Sequence, residues 1–141
     1  MEGRPHYFFT ALQIVAAAVL VWLLIVWKTP WNTQRYIGTM LVVVGISFIA
    51  LARYQLGNSF SAKAEAHELV TRGLYSRIRN PIYVFGGVTV SGLLLVAQQP
   101  MLWIVLAVMI VVQVIRARRE AQVLEAAFGD AYRQYRSKTW F

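Results

Sequence analysis

The chain has 141 residues, of which 58% are hydrophobic, and it carries a formal net charge of +8. An apolar fraction above the roughly 45–50% of soluble domains predicts an integral membrane protein. The basic residues flank apolar runs instead of forming one basic face, so membrane lipids, and not nucleic acid, are the expected anionic neighbours. The chain contains no cysteine, which excludes disulfides and thiolate chemistry, and its 2 histidines argue against a metal site.

Four apolar runs in chain order predict an all-α integral membrane protein with about four transmembrane helices. The runs occupy residues 8–27, 36–52, 82–97 and 101–115. The first two have about the 20 residues that a bilayer-spanning helix needs at a rise of about 1.5 Å per residue. Only Gln98-Gln99-Pro100 separates the last two, which are predicted to form a helical hairpin. No linker or repeat divides the chain, so residues 1–141 are predicted to be a single domain.

The first apolar run could also be a cleaved signal peptide, because Arg4 precedes it near the N-terminus. The run is longer than the roughly 7–15-residue core of such peptides. It ends in Trp27-Lys28-Thr29-Pro30-Trp31, which is not a cleavage site between small residues. We therefore expect this segment to remain as a membrane helix.

The distribution of basic residues predicts the orientation in the membrane. Only Lys28 and Arg35 lie between the first two spans, whereas the loop over residues 53–81 and the tail after residue 115 are both rich in arginine. The positive-inside rule therefore puts the N-terminus, this loop and the C-terminus in the cytoplasm. The two polar segments would then lie at one membrane face, where they could form one site.

The tail from residue 117 to residue 135 is predicted to be an amphipathic C-terminal helix, because its apolar residues recur close to the helical period. Gly129 is predicted to end this helix, and Asp130 to begin a final short one. Taken alone, the tail could also lie on the headgroups with its basic residues toward lipid phosphate.

Turn-forming residues mark the loop between the second and third spans. Gly57 is predicted to end the second helix, residues 62–69 to form a short surface helix, and Pro81 to begin the third span. Glycines in the third span permit close helix packing. They are Gly86, Gly87 and Gly92.

Two sets of polar residues at helical spacing could be either structural or functional. Arg116 and Glu120 are four residues apart, so they could form an intrahelical ion pair worth about 0.3–0.5 kcal/mol or share a site. Tyr75, Arg79 and Tyr83 recur at the same spacing, although a proline between them argues against one unbroken helix. Tyrosine and arginine are also common anchors at the membrane interface.

Three ordered motifs occupy these polar segments. The first is His67-x-Leu69-Val70-Thr71-x-Gly73-x-Tyr75, and the second is Arg79-Asn80-Pro81-x-Tyr83. The third runs from Arg116-x-x-x-Glu120 through Phe128-Gly129 to Tyr132 and Tyr135. Together they resemble the isoprenylcysteine carboxyl methyltransferase family, whose wider group includes the membrane phospholipid methyltransferases. The resemblance covers residues 54–136.

The resemblance implies an enzyme that transfers a methyl group from S-adenosylmethionine to a lipophilic acceptor at the cytoplasmic membrane face, with S-adenosylhomocysteine as the product. The acceptor it implies first is a carboxylate on a small lipophilic molecule or a lipid-modified substrate. The implied catalytic residues are Arg116, which would also bind the substrate, and Glu120. The implied cofactor-binding residues are His67, Glu68, Leu69, Val70, Tyr75, Asn80, Pro81, Ile82, Tyr83 and Glu120.

The chain departs from the family pattern at two positions. Asn80 stands where the family usually has histidine, which keeps a hydrogen-bonding side chain but removes a proton-transfer group. Ala121 stands where many members have a second glutamate. A mechanism that uses a general base at position 80 is therefore excluded.

Other functions fit the same residues. The acceptor could be a phospholipid amine or a small molecule methylated on nitrogen, oxygen or sulfur. An NADPH-dependent membrane reductase and a non-catalytic membrane scaffold are further alternatives. For a methyltransferase, we expect the lipophilic acceptor to reach the site sideways from the bilayer, between the second span and the hairpin.

Overall fold

The computed structural model describes residues 18, 22, 25–57 and 69–141. The α-helices with defined bounds in these ranges are α1 (Thr33–Leu56), α2 (Pro81–Ala97), α3 (Trp103–Phe128) and α4 (Asp130–Lys138). Short 3-10 turns lie at Gly73–Ser76 and Pro100–Leu102. Within the described ranges there is no strand, only an isolated parallel bridge between Ile78 and Trp140. The all-α prediction is confirmed for this part of the chain.

Two of the helices are long and apolar enough to cross a membrane. One is α1, and the other is α3 together with the 3-10 turn before it, Pro100–Phe128. α2 is apolar but shorter, with 17 residues. The first predicted span, residues 8–27, lies mostly outside the described residues, although positions 18, 22, 25 and 26 are helical. The apolar helices fit a membrane protein, and the count of about four spans stays a prediction.

Local sequence signals explain where the helices begin and end. The Asn32 side chain accepts a hydrogen bond from the Arg35 N–H at 3.0 Å, which caps the N-terminus of α1. Gly57 ends α1 with a φ of 54°, and Pro81 stands in the first turn of α2. Gly129, with a φ of 49°, separates α3 from α4 as predicted. Of the surface helix predicted at 62–69, only residue 69 is described, and it is not helical.

Small residues bring α1 and α2 into close contact. A Cβ atom added to Gly38 or to Gly92 would lie 2.6 Å from the backbone oxygen of the other glycine. Nearer the N-terminus of α2, the rings of Phe48 and Phe85 stack with centroids 4.6 Å apart. Of the three glycines expected to permit close packing, Gly92 does so against α1, whereas a Cβ added to Gly87 would meet no other described residue within 4 Å. The described contacts thus hold α1 directly against α2. The predicted lateral route between the second span and the hairpin stays a prediction.

α2 and α3 run in opposite directions but touch much less than α1 and α2 do. Gln98 adopts a left-handed conformation with a φ of 53° at the end of α2, and the 3-10 turn leads into α3. α3 then continues without a break from the predicted span into the predicted amphipathic extension. Its far half consequently returns to the N-terminal end of α2, which we call the site end of the bundle.

At the opposite end of the bundle, a buried arginine ties the start of α1 to the end of α2. The Arg35 side chain, only 2% exposed, donates to the backbone oxygen of Thr29 and lies 4.2 Å from the centroid of the Trp31 ring. The Thr29 hydroxyl in turn donates to the backbone oxygen of Val96 at 2.9 Å. Arg35 is therefore a buried packing residue and not a solvated charge in the loop between two spans.

Candidate functional site

The loop before α2 packs its apolar residues against the end of α1. Val70 and Tyr75 are 8% and 6% exposed and form a buried cluster with Ala52. Leu56, Leu74 and Ile82 pack around this cluster. Three residues of the predicted cofactor set, Val70, Tyr75 and Ile82, are thus brought together.

Gln55 of α1 fixes the turn that carries Tyr75. Its side-chain oxygen accepts a hydrogen bond from the Leu74 N–H at 2.7 Å. Gly73, with a φ of 60°, lies directly against the Gln55 side chain, so a residue with a Cβ would be strained there and would displace that side chain. Sequence analysis did not single out Gln55, because nothing in its local pattern separates it from other interfacial polar residues.

Asn80 and Pro81 contribute through the backbone at the start of α2. The Asn80 carbonyl accepts from the N–H groups of Tyr83 and Val84, each at 3.1 Å, while its side chain caps nothing. Pro81 is fully buried. These two residues set the direction in which α2 leaves the loop, and with it the position of Tyr83.

Tyr83, Glu120 and Arg116 meet between α2 and α3. The Tyr83 hydroxyl donates a hydrogen bond to one carboxylate oxygen of Glu120. The Arg116 guanidinium carbon lies 5.8 Å from the centroid of the Tyr83 ring, within the range of a cation–π contact. Arg116 and Glu120 do not form the intrahelical ion pair that their spacing allowed. Both side chains instead face the same tyrosine.

The C-terminal tail joins the loop through backbone hydrogen bonds. The Arg79 N–H donates to the Trp140 carbonyl at 3.0 Å, and the Trp140 N–H donates to the Arg77 carbonyl at 2.7 Å. The Asn80 N–H donates to the Phe141 carbonyl at 2.9 Å. The loop and the tail therefore converge at the site end.

Tyr135 links α4 to the buried loop tyrosine. Its hydroxyl donates to the Tyr75 carbonyl at 2.7 Å. Burial raises the pKa of Tyr75, and nearby Tyr135, Glu120 and Tyr83 raise it further. Burial also raises the pKa of Tyr135 to about 12, against an opposing effect of Arg79. Tyr83, Tyr135 and Glu120 therefore all lie close enough to Tyr75 to affect its pKa.

Two of the predicted cofactor residues, His67 and Glu68, lie outside the described residues, and Leu69 is half-buried just before the cluster. Arg79 adds a feature that sequence analysis did not specify. Its Nε atom is buried and has no hydrogen-bond partner within the described part of the chain. The site end thus combines a carboxylate, two arginines, neutral tyrosines and an apolar cluster.

Tyr135→Phe is expected to lower the free energy of unfolding by about 1 kcal/mol at neutral pH, because it removes one buried hydrogen bond. The pKa of Tyr135 is raised from 10.0 to about 12, so between these pH values the folded protein keeps a proton that the unfolded chain releases. Stability should therefore fall as pH rises through that window, and Tyr135→Phe should reduce the fall. Denaturant unfolding at pH 7, 10 and 12 measures both effects.

Tyr54→Phe is the control for this measurement, since Tyr54 is 86% exposed. It should change stability by less than about 0.5 kcal/mol. An equal loss in both variants would contradict a structural hydrogen bond from Tyr135 to the loop.

Comparison with known proteins identifies the family. The phospholipid methyltransferase family model matches residues 33–131, more than two thirds of the chain. The match includes all of α1, α2 and α3, and with them Tyr83, Arg116 and Glu120. A comparison with curated proteins finds no significant match. The chain therefore belongs to the phospholipid methyltransferase family, within the group of membrane methyltransferases that its motifs resemble.

Proposed function

We propose that this protein transfers a methyl group from S-adenosylmethionine to the amine of a phospholipid at the cytoplasmic membrane face. The observation that carries the proposal is the meeting of Tyr83, Glu120 and Arg116 at the polar end of apolar helices. The family match supports both the reaction type and a lipid acceptor.

The residues at the site end fit the chemistry of S-adenosylmethionine. The Val70–Tyr75–Ile82 cluster offers an apolar surface to the adenine ring. The unpartnered Nε of Arg79 is a donor suited to the cofactor carboxylate. Glu120 offers carboxylate oxygens to ribose hydroxyls or to the cofactor's cationic groups. That His67 and Glu68 also bind the cofactor stays a prediction.

When bound, S-adenosylmethionine supplies a methyl group already activated on a sulfonium, which becomes the thioether of S-adenosylhomocysteine as the methyl carbon bonds to the acceptor. The protein's task is mainly to hold the two reactants in line, and orientation of this kind can recover about 7–11 kcal/mol of the barrier. Tyr83 fixes one oxygen of Glu120 by its hydrogen bond. The other oxygen has no hydrogen-bond partner among the described residues.

An amine acceptor must lose a proton before it attacks a methyl group. Asn80 replaces the family histidine and cannot take that proton. The free oxygen of Glu120 is the base that the described site offers, and it can accept the proton directly or through water. Arg116, which is exposed, would hold the phosphate of the same lipid by charge-assisted hydrogen bonds.

A prenylcysteine carboxylate is the second candidate acceptor. The exposed Arg116 guanidinium beside Tyr83 supports it, because arginine binds carboxylates as well as phosphates. A carboxylate needs no base, so this acceptor would leave Glu120 with the cofactor alone. For either acceptor, we propose lateral access between α2 and α3, which touch little, near Gly87, where an added Cβ would meet no described residue within 4 Å.

Transfer from radiolabelled cofactor in membranes that contain the protein tests the proposal. The lipids are extracted and separated by class after incubation. We expect label in the N-methylated phospholipids. Label in base-labile methyl esters would instead support the carboxylate acceptor, and binding of NADPH without binding of S-adenosylhomocysteine would support a reductase.

Arg116→Ala should lower kcat/KM for the lipid acceptor by roughly ten- to a hundredfold, the value of one hydrogen bond to a charged group. Folding should be largely unaffected, because Arg116 is exposed and makes no ion pair in the described structure. Arg119→Ala is the matched control, because Arg119 is also exposed and lies three residues further along α3. Its kcat/KM should stay within about twofold of the value for the original protein. If Arg116→Ala instead unfolds the protein, the role of Arg116 is structural.

A further inference from the structure

Gln113 is a polar residue in the apolar part of α3 whose side chain bonds to no residue that the structure describes. The other polar side chains in the apolar parts of the helices donate to backbone oxygens four residues earlier. They are Thr39, Ser47, Thr89 and Ser91. The Gln113 amide makes no hydrogen bond within the described ranges of the chain. An amide without a partner in hydrocarbon is costly, so its retention there points to a ligand.

The Gln113 amide lies between α3 and α2. A Cβ added to Gly86 of α2 would come within 3.4 Å of its Nε2 atom, and it would meet no other residue within 4 Å. A Cβ added to the neighbouring Gly87 would meet no described residue within 4 Å. Gln113 is half-buried, so it is not sealed within the packing of the described helices.

Gln113, Arg116 and Glu120 form a ladder along one side of α3. All three side chains face α2, where they meet Gly86 and Tyr83. At about 1.5 Å rise per residue, Arg116 lies about 6 Å deeper than Glu120 along the helix, and Gln113 about 10.5 Å deeper. The order from the polar end inward is a carboxylate, a guanidinium and a carboxamide.

A diacyl aminophospholipid carries complementary groups in the same order. Two carbons and an oxygen separate its amine from the phosphorus, and a similar short chain separates the phosphorus from the ester carbonyl of the acyl chain. We infer that Gln113 recognises this ester carbonyl by donating a hydrogen bond from its amide. This inference rests on the proposed function and deepens it: Gln113 would be a residue that selects ester-linked phospholipids as acceptors. A prenylcysteine has only apolar chain at this depth and would leave the amide unpaired.

Methylation of two otherwise identical phosphatidylethanolamines, one with ester-linked and one with ether-linked chains, tests the inference. The original protein should prefer the ester lipid by roughly three- to tenfold in kcat/KM, the value of one neutral hydrogen bond. Gln113→Met has a side chain of similar length without a donor. It should abolish the preference by lowering the rate with the ester lipid alone, while affinity for S-adenosylhomocysteine stays unchanged.

Gln122→Leu makes a comparable change at an exposed position of the same helix, and it should keep the preference. An equal loss of kcat/KM with both lipids in Gln113→Met would mean a packing role and overturn the inference. A preference for the ester lipid that survives in this variant would overturn it as well. If the original protein methylates both lipids equally, recognition of the ester fails while the proposed function stands. If it methylates no phospholipid, both fail.

Discussion

Glu120→Gln is expected to reduce methyl transfer by about a hundredfold or more, because a positioned base contributes roughly 10²–10⁴-fold to proton transfer. The substitution keeps the shape of the side chain and a carbonyl oxygen that can still accept the Tyr83 hydrogen bond. It removes the negative charge and the ability to take a proton. The measurement is steady-state transfer to phosphatidylethanolamine by purified protein in lipid–detergent micelles.

Glu125→Gln is the matched control for this substitution. Glu125 lies five residues further along α3 and forms an ion pair with Arg133 at 2.9 Å, away from Tyr83. Exposed pairs of this kind contribute only about 0–1 kcal/mol, so activity should change less than about twofold. If Glu120→Gln retained activity close to that of Glu125→Gln, the carboxylate at position 120 would have no part in the reaction.

Gly92→Ala is expected to lower the free energy of unfolding by about 1–3 kcal/mol, as overpacking of a close-packed interface does. Its new Cβ would lie 2.6 Å from the Gly38 oxygen and 2.8 Å from the Val42 nitrogen. Both are backbone atoms, so α1 and α2 would have to move apart. Thermal unfolding in detergent micelles, followed by circular dichroism, measures the change.

Gly87→Ala makes the same change five residues away on α2, where an added Cβ would meet no other described residue within 4 Å. Its stability should be unchanged or higher by up to about 1 kcal/mol, because alanine is the better helix former. The two variants should therefore change the free energy of unfolding in opposite directions. Equal effects would show that helix propensity and not the α1–α2 contact dominates at Gly92.

Much of the helical framework could be predicted from local sequence, because its signals act within a few residues. Pro81 begins α2, Gly57 ends α1, and Gly129 separates α3 from α4. The apolar runs at 36–52 and 82–97 likewise fall within α1 and α2, and the run at 101–115 falls within α3 and the 3-10 turn before it. Each of these features depends on backbone conformation or hydropathy, which neighbouring residues determine.

Contacts between helices could not be predicted in the same way. Glycines at 38 and 92 could face lipid or each other, and only the relative register of α1 and α2 makes them neighbours. Arg35 counted as a charge between spans, yet it is buried against Thr29 and Trp31. A single sequence does not contain the register that decides these cases.

The candidate site shows the same division. The distribution of basic residues predicted that the loop and the tail would lie at one membrane face, and backbone hydrogen bonds from Arg79 and Asn80 to Trp140 and Phe141 join them. The spacing of Arg116 and Glu120 allowed either an intrahelical pair or a shared site, and both side chains face Tyr83 of the neighbouring α2. Gln55 and Tyr135 were missed as partners of the loop because they act on its backbone, at Leu74 and Tyr75, which no side-chain motif records.

Binding of S-adenosylhomocysteine to the purified protein, measured by titration calorimetry, tests most directly whether loop and tail form one cofactor site. We expect micromolar affinity in the original chain and its loss in Tyr83→Ala and Glu120→Ala. Folding of each variant is checked by circular dichroism. Absence of binding in the original protein, or affinity unchanged in both variants, would contradict the site that we propose.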